Sequence, residues 1–140
     1  MAIIFPVHTQ EIRIRVRYAE TDAMGIVHHA AYLVWMETGR VEWCRGLGID
    51  YRAMEQEDHL MMLVVEARCR YLSAARFDDE AIVRTWAEEA GSRMLRFRYE
   101  IRDAISGRML VEAETKHICV GRDMKPVRFP EKYRLAFRAS

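Results

Sequence analysis

A segment of about 18 residues, 30–47, is apolar around most of a helical circumference, and this feature restricts the fold most. At about 100° per residue, Arg45, Thr38, Glu42 and the small Ala31 share one narrow slice. The rest of the circumference carries Leu33, Val34, Trp35, Met36, Val41, Trp43, Cys44 and Leu47. Because a helix that is apolar almost all round is typical of a protein interior, the sequence predicts one long buried helix.

Two charged residues, Glu37 and Arg40, interrupt the apolar part of this helix. They are three residues apart, so their side chains are neighbours on the helix surface. We interpret them as an ion pair that ties the helix to its surroundings. The alternative is that Glu37 shapes or polarises a functional site.

Five other segments alternate between apolar and charged residues, which is typical of half-buried strands. These predicted strands are 11–18, 60–72, 79–89, 93–102 and 108–120. Gly-Ser and Ser-Gly dipeptides at 91–92 and 106–107 separate the last three, which therefore read as a hairpin meander. A polar hinge, 19–28, joins the first strand to the long helix. A helical turn is expected within 50–58, and a short helix after Pro130.

The order of elements predicts an α+β fold in which a five-stranded antiparallel sheet curls around one long helix. A sheet with one apolar face needs a covering layer, and this helix is the one long enough to supply it. A sheet of this size cannot enclose every side of an all-round apolar helix. We therefore expect a second copy of the chain to cover the rest, which makes the protein a homodimer at minimum.

Length and composition predict one domain, 1–140, of an ordinary globular kind. The chain has 140 residues, is 51% hydrophobic, and carries 22 basic and 21 acidic residues for a net charge of +1. This balance gives no electrostatic reason to expect a nucleic-acid partner. The three cysteines are scattered, which predicts reduced thiols. Residues 1–7 make a poor signal peptide, and no apolar run is long enough to span a membrane. We therefore expect a cytoplasmic protein with no membrane insertion.

The stretch 18–32 gathers two acidic residues, two adjacent histidines, a glycine and two tyrosines where a strand meets a helix. A base beside a helix N-terminus suits chemistry at a carbonyl group. An Asp in such a loop, here Asp22, is also common simply as a turn or N-cap residue. The pair His28 and His29 lacks a third ligand at suitable spacing, so we expect no metal.

Two motifs carry a resemblance that covers essentially the whole chain. The first is Tyr18-x-Glu20-Thr21-Asp22-x-x-Gly25-Ile26-Val27-x-His29-x-x-Tyr32, followed by Glu37-x-x-Arg40, and the second is Tyr71-Leu-Ser-Ala-Ala-Arg76-Phe-Asp78-Asp79. Together they resemble the 4-hydroxybenzoyl-CoA thioesterase family, which has the hotdog fold. The nearer resemblance is to its acyl-CoA thioesterase branch associated with the Tol–Pal system. Met24, Ala75 and the His28-His29 pair depart from that branch, so reaction type transfers better than acyl specificity.

The resemblance implies an acyl-CoA thioesterase whose active sites lie at the interface of a homodimer or homotetramer. It places the catalytic carboxylate on Asp22, as general base or as nucleophile, and the amide that polarises the thioester carbonyl on His29. The His29 side chain could orient water, Asp22 or the sulfur, or it could be a packed imidazole; His28 reads as structural or as part of the rim. Coenzyme A is part of the substrate, and no cofactor is needed.

The resemblance also implies substrate-binding residues around this centre. Tyr18 and Tyr32 could border the acyl pocket or could be core aromatics, and Gly25 belongs to the same loop. Three further residues lie in loops where relatives contact the CoA nucleotide, although exposed arginines are also common as solvated side chains: Arg76, Ser92 and Arg93.

Two other functions compete with thioester hydrolysis. An enoyl-CoA hydratase of this fold needs a cooperating Asp and His, usually with four residues between them, whereas five separate Asp22 from His28. A non-catalytic acyl-CoA-binding protein would not need the carboxylate of Asp22. The sequence therefore favours hydrolysis.

Overall fold

The computed structural model describes residues 8–138 and, within them, five strands and three α-helices. In chain order these are β1 (Thr9–Arg15), α1 (Ala31–Gly46), α2 (Tyr51–Gln56), β2 (Met61–Tyr71), β3 (Glu80–Ala90), β4 (Met94–Asp103), β5 (Met109–Val120) and α3 (Glu131–Arg138). A 3-10 turn, Tyr18–Glu20, follows β1. The interpretation of 1–7 as a poor signal peptide lies outside the described residues.

The strands form one antiparallel sheet in the order β1-β3-β4-β5-β2. Strands β3, β4 and β5 pair with their neighbours in sequence, so the predicted hairpin meander is confirmed. β2 pairs with β5 along one side, and no strand among residues 8–138 pairs with its other side. The predicted architecture, five strands with a long helix and a short C-terminal helix, is confirmed.

Helix α1 lies against the apolar face of the sheet. Strand β4 buries alternate side chains on that face, and the Trp43 ring meets Phe97 edge-on with their centroids 5.0 Å apart. Gly39 marks the closest approach, because a Cβ there would stand 2.5 Å from the Thr85 hydroxyl oxygen. A larger residue at position 39 would push the helix away from β3.

In a single chain, α1 is buried on one side only. Trp35 and Met36 are 2% and 0% exposed, whereas Leu33 and Val34 on the outer side are 37% and 57% exposed. Strand β2 shows a similar exposure, with Val65 47% accessible. The sheet therefore covers part of the helix, and the second subunit expected to cover the rest stays a prediction.

The first strand ends earlier than predicted. β1 stops at Arg15, and Tyr18, expected to continue its inward face, begins the 3-10 turn and is 73% exposed. The turn is closed by backbone hydrogen bonds from Glu20 N to Arg17 O and from Thr21 N to Tyr18 O, each 3.0 Å. This turn breaks the period of two, so the strand pattern could not be extended through it.

The predicted ion pair between Glu37 and Arg40 is wrong. Arg40 instead donates from Nη1 to the Tyr99 hydroxyl at 3.1 Å. That hydroxyl lies 2.6 Å from Thr115 Oγ1, which lies 2.8 Å from the Nε2 of His117. The arginine therefore points into the sheet, where it begins a buried chain of polar groups, and Glu37 remains exposed.

The three cysteines are free thiols, as predicted; Cys44 and Cys119 are buried. Burial raises the pKa of the Cys44 thiol to about 12 and that of Cys119 to about 11, so both stay protonated at neutral pH. In the part of the chain that the structure describes, no helix combines the length and the hydropathy that a bilayer crossing requires.

Candidate active site

The loop that carries Asp22 is a tight reversal. The backbone N–H of Asp22 donates to Ile26 O, and that of Gly25 donates to Asp22 O, each at 2.9 Å. Gly25 has φ of +78°, a conformation that glycine adopts without steric cost. The predicted substrate-binding residue Gly25 thus has a clear local role, which is to let the chain turn back beside Asp22.

The carboxylate of Asp22 has one oxygen committed and one free. Oδ1 accepts the backbone N–H of Met24 at 2.8 Å, as in an Asx turn. Oδ2 has no hydrogen-bond partner within residues 8–138. The turn occupies only one of the two oxygens, so the other is available for a chemical role.

A buried acid, Glu20, holds the start of this loop against helix α1. Its Oε2 accepts the indole N–H of Trp35 at 2.6 Å, and its Oε1 accepts the backbone N–H of Arg17 at 2.9 Å. The Glu20 carbonyl also accepts the N–H of His28 at 2.7 Å. Burial raises the pKa of Glu20, but the hydrogen bonds from Trp35 and Arg17 outweigh it, so the pKa is lowered overall.

Sequence reasoning missed this anchor, although a signal was present. Arg17 and Glu20 have the spacing of a capping box, in which the side chain of the third residue returns to the backbone N–H of the cap residue. The spacing is visible in the sequence, although Arg is not one of the usual cap residues, so the signal is weak. The contact to Trp35 is not visible there, because fifteen residues separate the partners.

The two histidines lie at the start of α1 and have different roles. His28 Nδ1 accepts the backbone N–H of Ala30 at 3.1 Å, and its carbonyl accepts that of Ala31 at 2.9 Å, so His28 holds the chain just ahead of the helix, whose N-cap residue is Ala30. The His29 N–H donates to no acceptor in the described part of the chain. The helix begins at Ala31, slightly later than predicted, and leaves this amide free just ahead of its first turn.

Asp22 and His29 line one pocket of about 350 Å³. Its other lining residues are mostly apolar: Met24, Ile26, Val27, Tyr32, Tyr71, Leu72, Ser73 and Ala74. The structure thus brings together a carboxylate, a free backbone donor and an apolar wall. This combination suits an apolar group joined to a polarised carbonyl.

Two tyrosines form the polar part of the pocket wall. Tyr32 is 3% exposed, and its hydroxyl accepts the backbone N–H of Ala75 at 3.5 Å. The Tyr71 hydroxyl, which sequence reasoning did not assign to the site, donates to the His29 carbonyl at 3.1 Å. Burial raises the pKa of Tyr32 and raises that of Tyr71 to about 12, so both phenols are neutral at ordinary pH.

The other predicted substrate-binding residues lie outside this pocket. Tyr18 stacks on Phe77 instead of lining it. The Arg76 guanidinium lies beside Gly25, with Nη1 3.8 Å from where a Cβ would stand. No described residue hydrogen-bonds or ion-pairs with that guanidinium.

Ser92 and Arg93 lie at the opposite end of the sheet from Asp22. They follow β3, an 11-residue strand that spans roughly 35 Å at ~3.3 Å per residue and begins beside the Asp22 loop. A single chain therefore does not bring them to the pocket. Their predicted contact with substrate requires a second subunit.

Among residues 8–138, no group of three or more His, Cys, Asp or Glu side chains is placed to hold a metal ion. The pocket chemistry described above comes from one carboxylate, backbone amides and phenols.

Comparisons with known proteins agree with this architecture. A family model described as the thioesterase-like superfamily matches residues 16–137. The Bacillus subtilis protein YneP is 37% identical over 127 residues, which cover 90% of this chain and 91% of that protein. The acyl-CoA thioesterase YbgC of Haemophilus influenzae is 35% identical over 126 residues, with 89% and 90% covered.

A solved structure is similar over the same region. The DHNA-CoA thioesterase from Staphylococcus aureus superposes with a TM-score of 0.89 at 27% identity, covering 94% of this chain and 89% of that one. The resemblance that the two sequence motifs predicted is therefore confirmed at the level of family and fold. The chain belongs to the thioesterase-like superfamily and has its hotdog fold.

Proposed function

We propose that this protein is an acyl-CoA thioesterase that hydrolyses the thioester to a free acid and CoA. The observation that carries the proposal is that one largely apolar pocket is lined both by Asp22, which has a free carboxylate oxygen, and by His29, which has a free N–H. Membership of the superfamily and the activity named for YbgC of Haemophilus influenzae support the same reaction.

Asp22 attacks or activates the attack on the thioester carbonyl. Its Oδ2 either removes a proton from water as that water adds to the carbonyl carbon, or adds directly to form an anhydride that water then cleaves. Oδ1 keeps its hydrogen bond to the Met24 N–H in both routes, so the carboxylate stays oriented. The sulfur leaves as the CoA thiolate, which takes up a proton.

The His29 N–H stabilises the negative charge that develops on the carbonyl oxygen. It lies at the positive end of the α1 dipole, and no described residue competes for it. A fixed donor of this type contributes about 10²–10³ in rate. The Tyr71 hydroxyl donates to the His29 carbonyl. This hydrogen bond fixes the orientation of the peptide group between His29 and Ala30. We expect no metal or organic cofactor.

We further propose that the active protein is a homodimer, or a pair of dimers, built on the outer edge of β2. This edge is unpaired within residues 8–138, and the adjoining apolar side chains of β2 and α1 are exposed: Leu33, Val34, Leu63, Val64 and Val65. Exposed strand edges beside apolar side chains pair readily with a second strand.

Antiparallel pairing of β2 with the same strand of a second copy also completes the site. In one chain, the Tyr71 end of β2 lies near the pocket, while its Met61 end lies beside the β3–β4 turn that carries Ser92 and Arg93. A two-fold axis reverses these ends, so each partner's turn comes to the pocket edge of the other chain. Arg93 of the partner would then supply positive charge for CoA phosphates.

The test is release of free thiol from short-chain, long-chain and aromatic acyl-CoAs by the purified protein. We expect stoichiometric CoA and free acid from at least one class. Binding of acyl-CoA without thiol release would favour a non-catalytic binding protein. Loss of an enoyl double bond without thiol release would favour a hydratase.

A further inference from the structure

Two aromatic rings form an exposed stack beside the candidate active site. Tyr18 of the 3-10 turn and Phe77 of the β2–β3 loop lie face to face, with ring centroids 3.6 Å apart and planes 9° from parallel. Tyr18 is 73% exposed and Phe77 is 41% exposed. The stack therefore presents an open aromatic face to solvent at a fixed position.

Backbone hydrogen bonds hold the two segments that carry these rings. The N–H of Val16 donates to Asp79 O at 2.9 Å, and the N–H of Asp78 donates to Val16 O at 3.0 Å. The Tyr18 carbonyl accepts both the N–H and the hydroxyl of Thr21. Because both rings are attached to anchored backbone, a ligand stacking on them would not have to order a loop.

Positive charge adjoins both the stack and the loop that lines the pocket. Arg76 directly precedes Phe77, and its unpartnered guanidinium lies beside Gly25, whose neighbour Met24 lines the pocket. Arg17 directly precedes Tyr18 and is 72% exposed at its side chain, with Glu20 3.4 Å away. Arg76 thus connects the loop of the reacting carboxylate with the segment of the stack, which suggests the order carboxylate, arginine, aromatic stack.

That order matches the order of groups in an acyl-CoA: thioester, pantetheine arm, phosphates, adenine. We propose that the open face of the Tyr18–Phe77 stack binds the adenine ring of CoA while Arg76 contacts its phosphates; this inference rests on the proposed function. Aromatic faces stack on any nucleobase, and a guanidinium pairs with phosphate oxygens in a fork. The stack thus recognises the CoA carrier, and the pocket recognises the acyl group.

The experiment compares one acyl group on two carriers, CoA and pantetheine, because pantetheine lacks the adenine and its phosphates. For Tyr18→Ala and Phe77→Ala we expect the ratio of kcat/KM for acyl-CoA to that for acyl-pantetheine to fall about 5- to 100-fold. Tyr18→Phe keeps the aromatic face and should restore the ratio. Ile105→Ala, at an exposed turn (94%), is the control for removal of a surface apolar side chain.

An unchanged ratio in both alanine variants would overturn the adenine site. So would a change of oligomeric state in Tyr18→Ala, because the stack would then be a contact between subunits. If the wild-type protein hydrolyses no thioester, titration with 3′,5′-ADP still decides the question. Binding that Tyr18→Ala abolishes would support the site although the proposed function failed, and no binding would overturn both.

Discussion

The indole N–H of Trp35 donates to the buried carboxylate of Glu20 at 2.6 Å, which joins the loop that carries Asp22 to helix α1. Trp35 is 2% exposed and Glu20 is 8% exposed, so water cannot replace this bond when it is lost. The loop and the helix bring the two proposed catalytic groups, Asp22 and the His29 amide, to one pocket. The Glu20–Trp35 bond therefore holds the relative position of both.

Replacing Glu20 with Gln should weaken the attachment of the loop to helix α1. The amide can still accept from Trp35, but its NH₂ group then faces the Arg17 N–H that the second carboxylate oxygen accepts. We expect the free energy of unfolding to fall by about 1–3 kcal/mol, measured by urea denaturation. Glu88→Gln, at an exposed carboxylate 3.8 Å from Arg98, is the matched control and should change stability little. Equal stability of the two variants would contradict the anchoring role of Glu20.

The same carboxylate should give stability a defined pH dependence. Because hydrogen bonds lower the folded pKa of Glu20 below its ordinary 4.5, its contribution is fully present above pH 4.5 and disappears as pH falls through the folded value. The difference between the unfolding free energies of wild type and Glu20→Gln should therefore become smaller below about pH 4.5. A difference that stays constant from pH 7 to pH 3 would be inconsistent with an ionised Glu20.

His117 should lower stability in the same direction, as pH falls, but over a higher pH range. Burial, and the charge of Arg40, lower the pKa of His117 from 6.5 to about 4, so the folded protein keeps the ring neutral. The unfolded chain binds a proton near pH 6.5 and the folded chain does not, so stability falls as pH drops from 6.5 to 4 and then levels off. The total is roughly 3 kcal/mol at about 1.4 kcal/mol per pKa unit.

Equilibrium unfolding of His117→Gln between pH 4 and pH 7 tests this. The variant should lose most of the slope that wild type shows in this range. His59→Asn is the control, since His59 is exposed and its positive φ of 56° suits asparagine. Identical slopes in wild type and His117→Gln would show that the buried imidazole titrates normally.

The β2 edge gives a prediction about assembly. Val64 is 46% exposed there, and an aspartate in its place would put a charge into the proposed interface. We expect Val64→Asp to shift the mass measured by light scattering from a multiple of 16.5 kDa to a single chain, and to raise KM for acyl-CoA because the partner's Arg93 is lost. Ile105→Asp, in the exposed β4–β5 turn, should change neither property. A monomeric wild-type protein with full activity would exclude the proposed interface.

The sequence predicted most of the fold because the physical signal was local. Alternation along 93–102 matches β4 nearly residue for residue, and the helix predicted at 30–47 is α1, since each pattern reports the face that one element buries. The failures lie where a partner is distant or absent. Tyr18 fits the alternating sequence pattern, but the 3-10 turn interrupts the strand there. Arg40 hydrogen-bonds to Tyr99 on the sheet and not to its helical neighbour Glu37.

The sequence pattern indicated only those site residues that lie close together along the chain. Asp22 and His29 belong to one short motif, and the loop returns them to one pocket. Tyr71 reaches His29 across 42 residues, and the Glu20 contact to Trp35 crosses between two elements, so no local pattern reports either. Ser92 and Arg93 would reach the pocket only through the proposed second chain, which a single sequence indicates only through the apolar surface it leaves uncovered.

The proposed role of Asp22 is tested most directly by the turnover of Asp22→Asn on acyl-CoA, measured as thiol release. Asparagine keeps an oxygen that can accept the Met24 N–H, so the loop should hold its shape, with unfolding temperature and oligomeric state unchanged. It removes the basic oxygen, and we predict that kcat falls about 10²–10⁴-fold. An Asp22→Asn protein that is folded, assembled and nearly as active as wild type would contradict a catalytic role for Asp22.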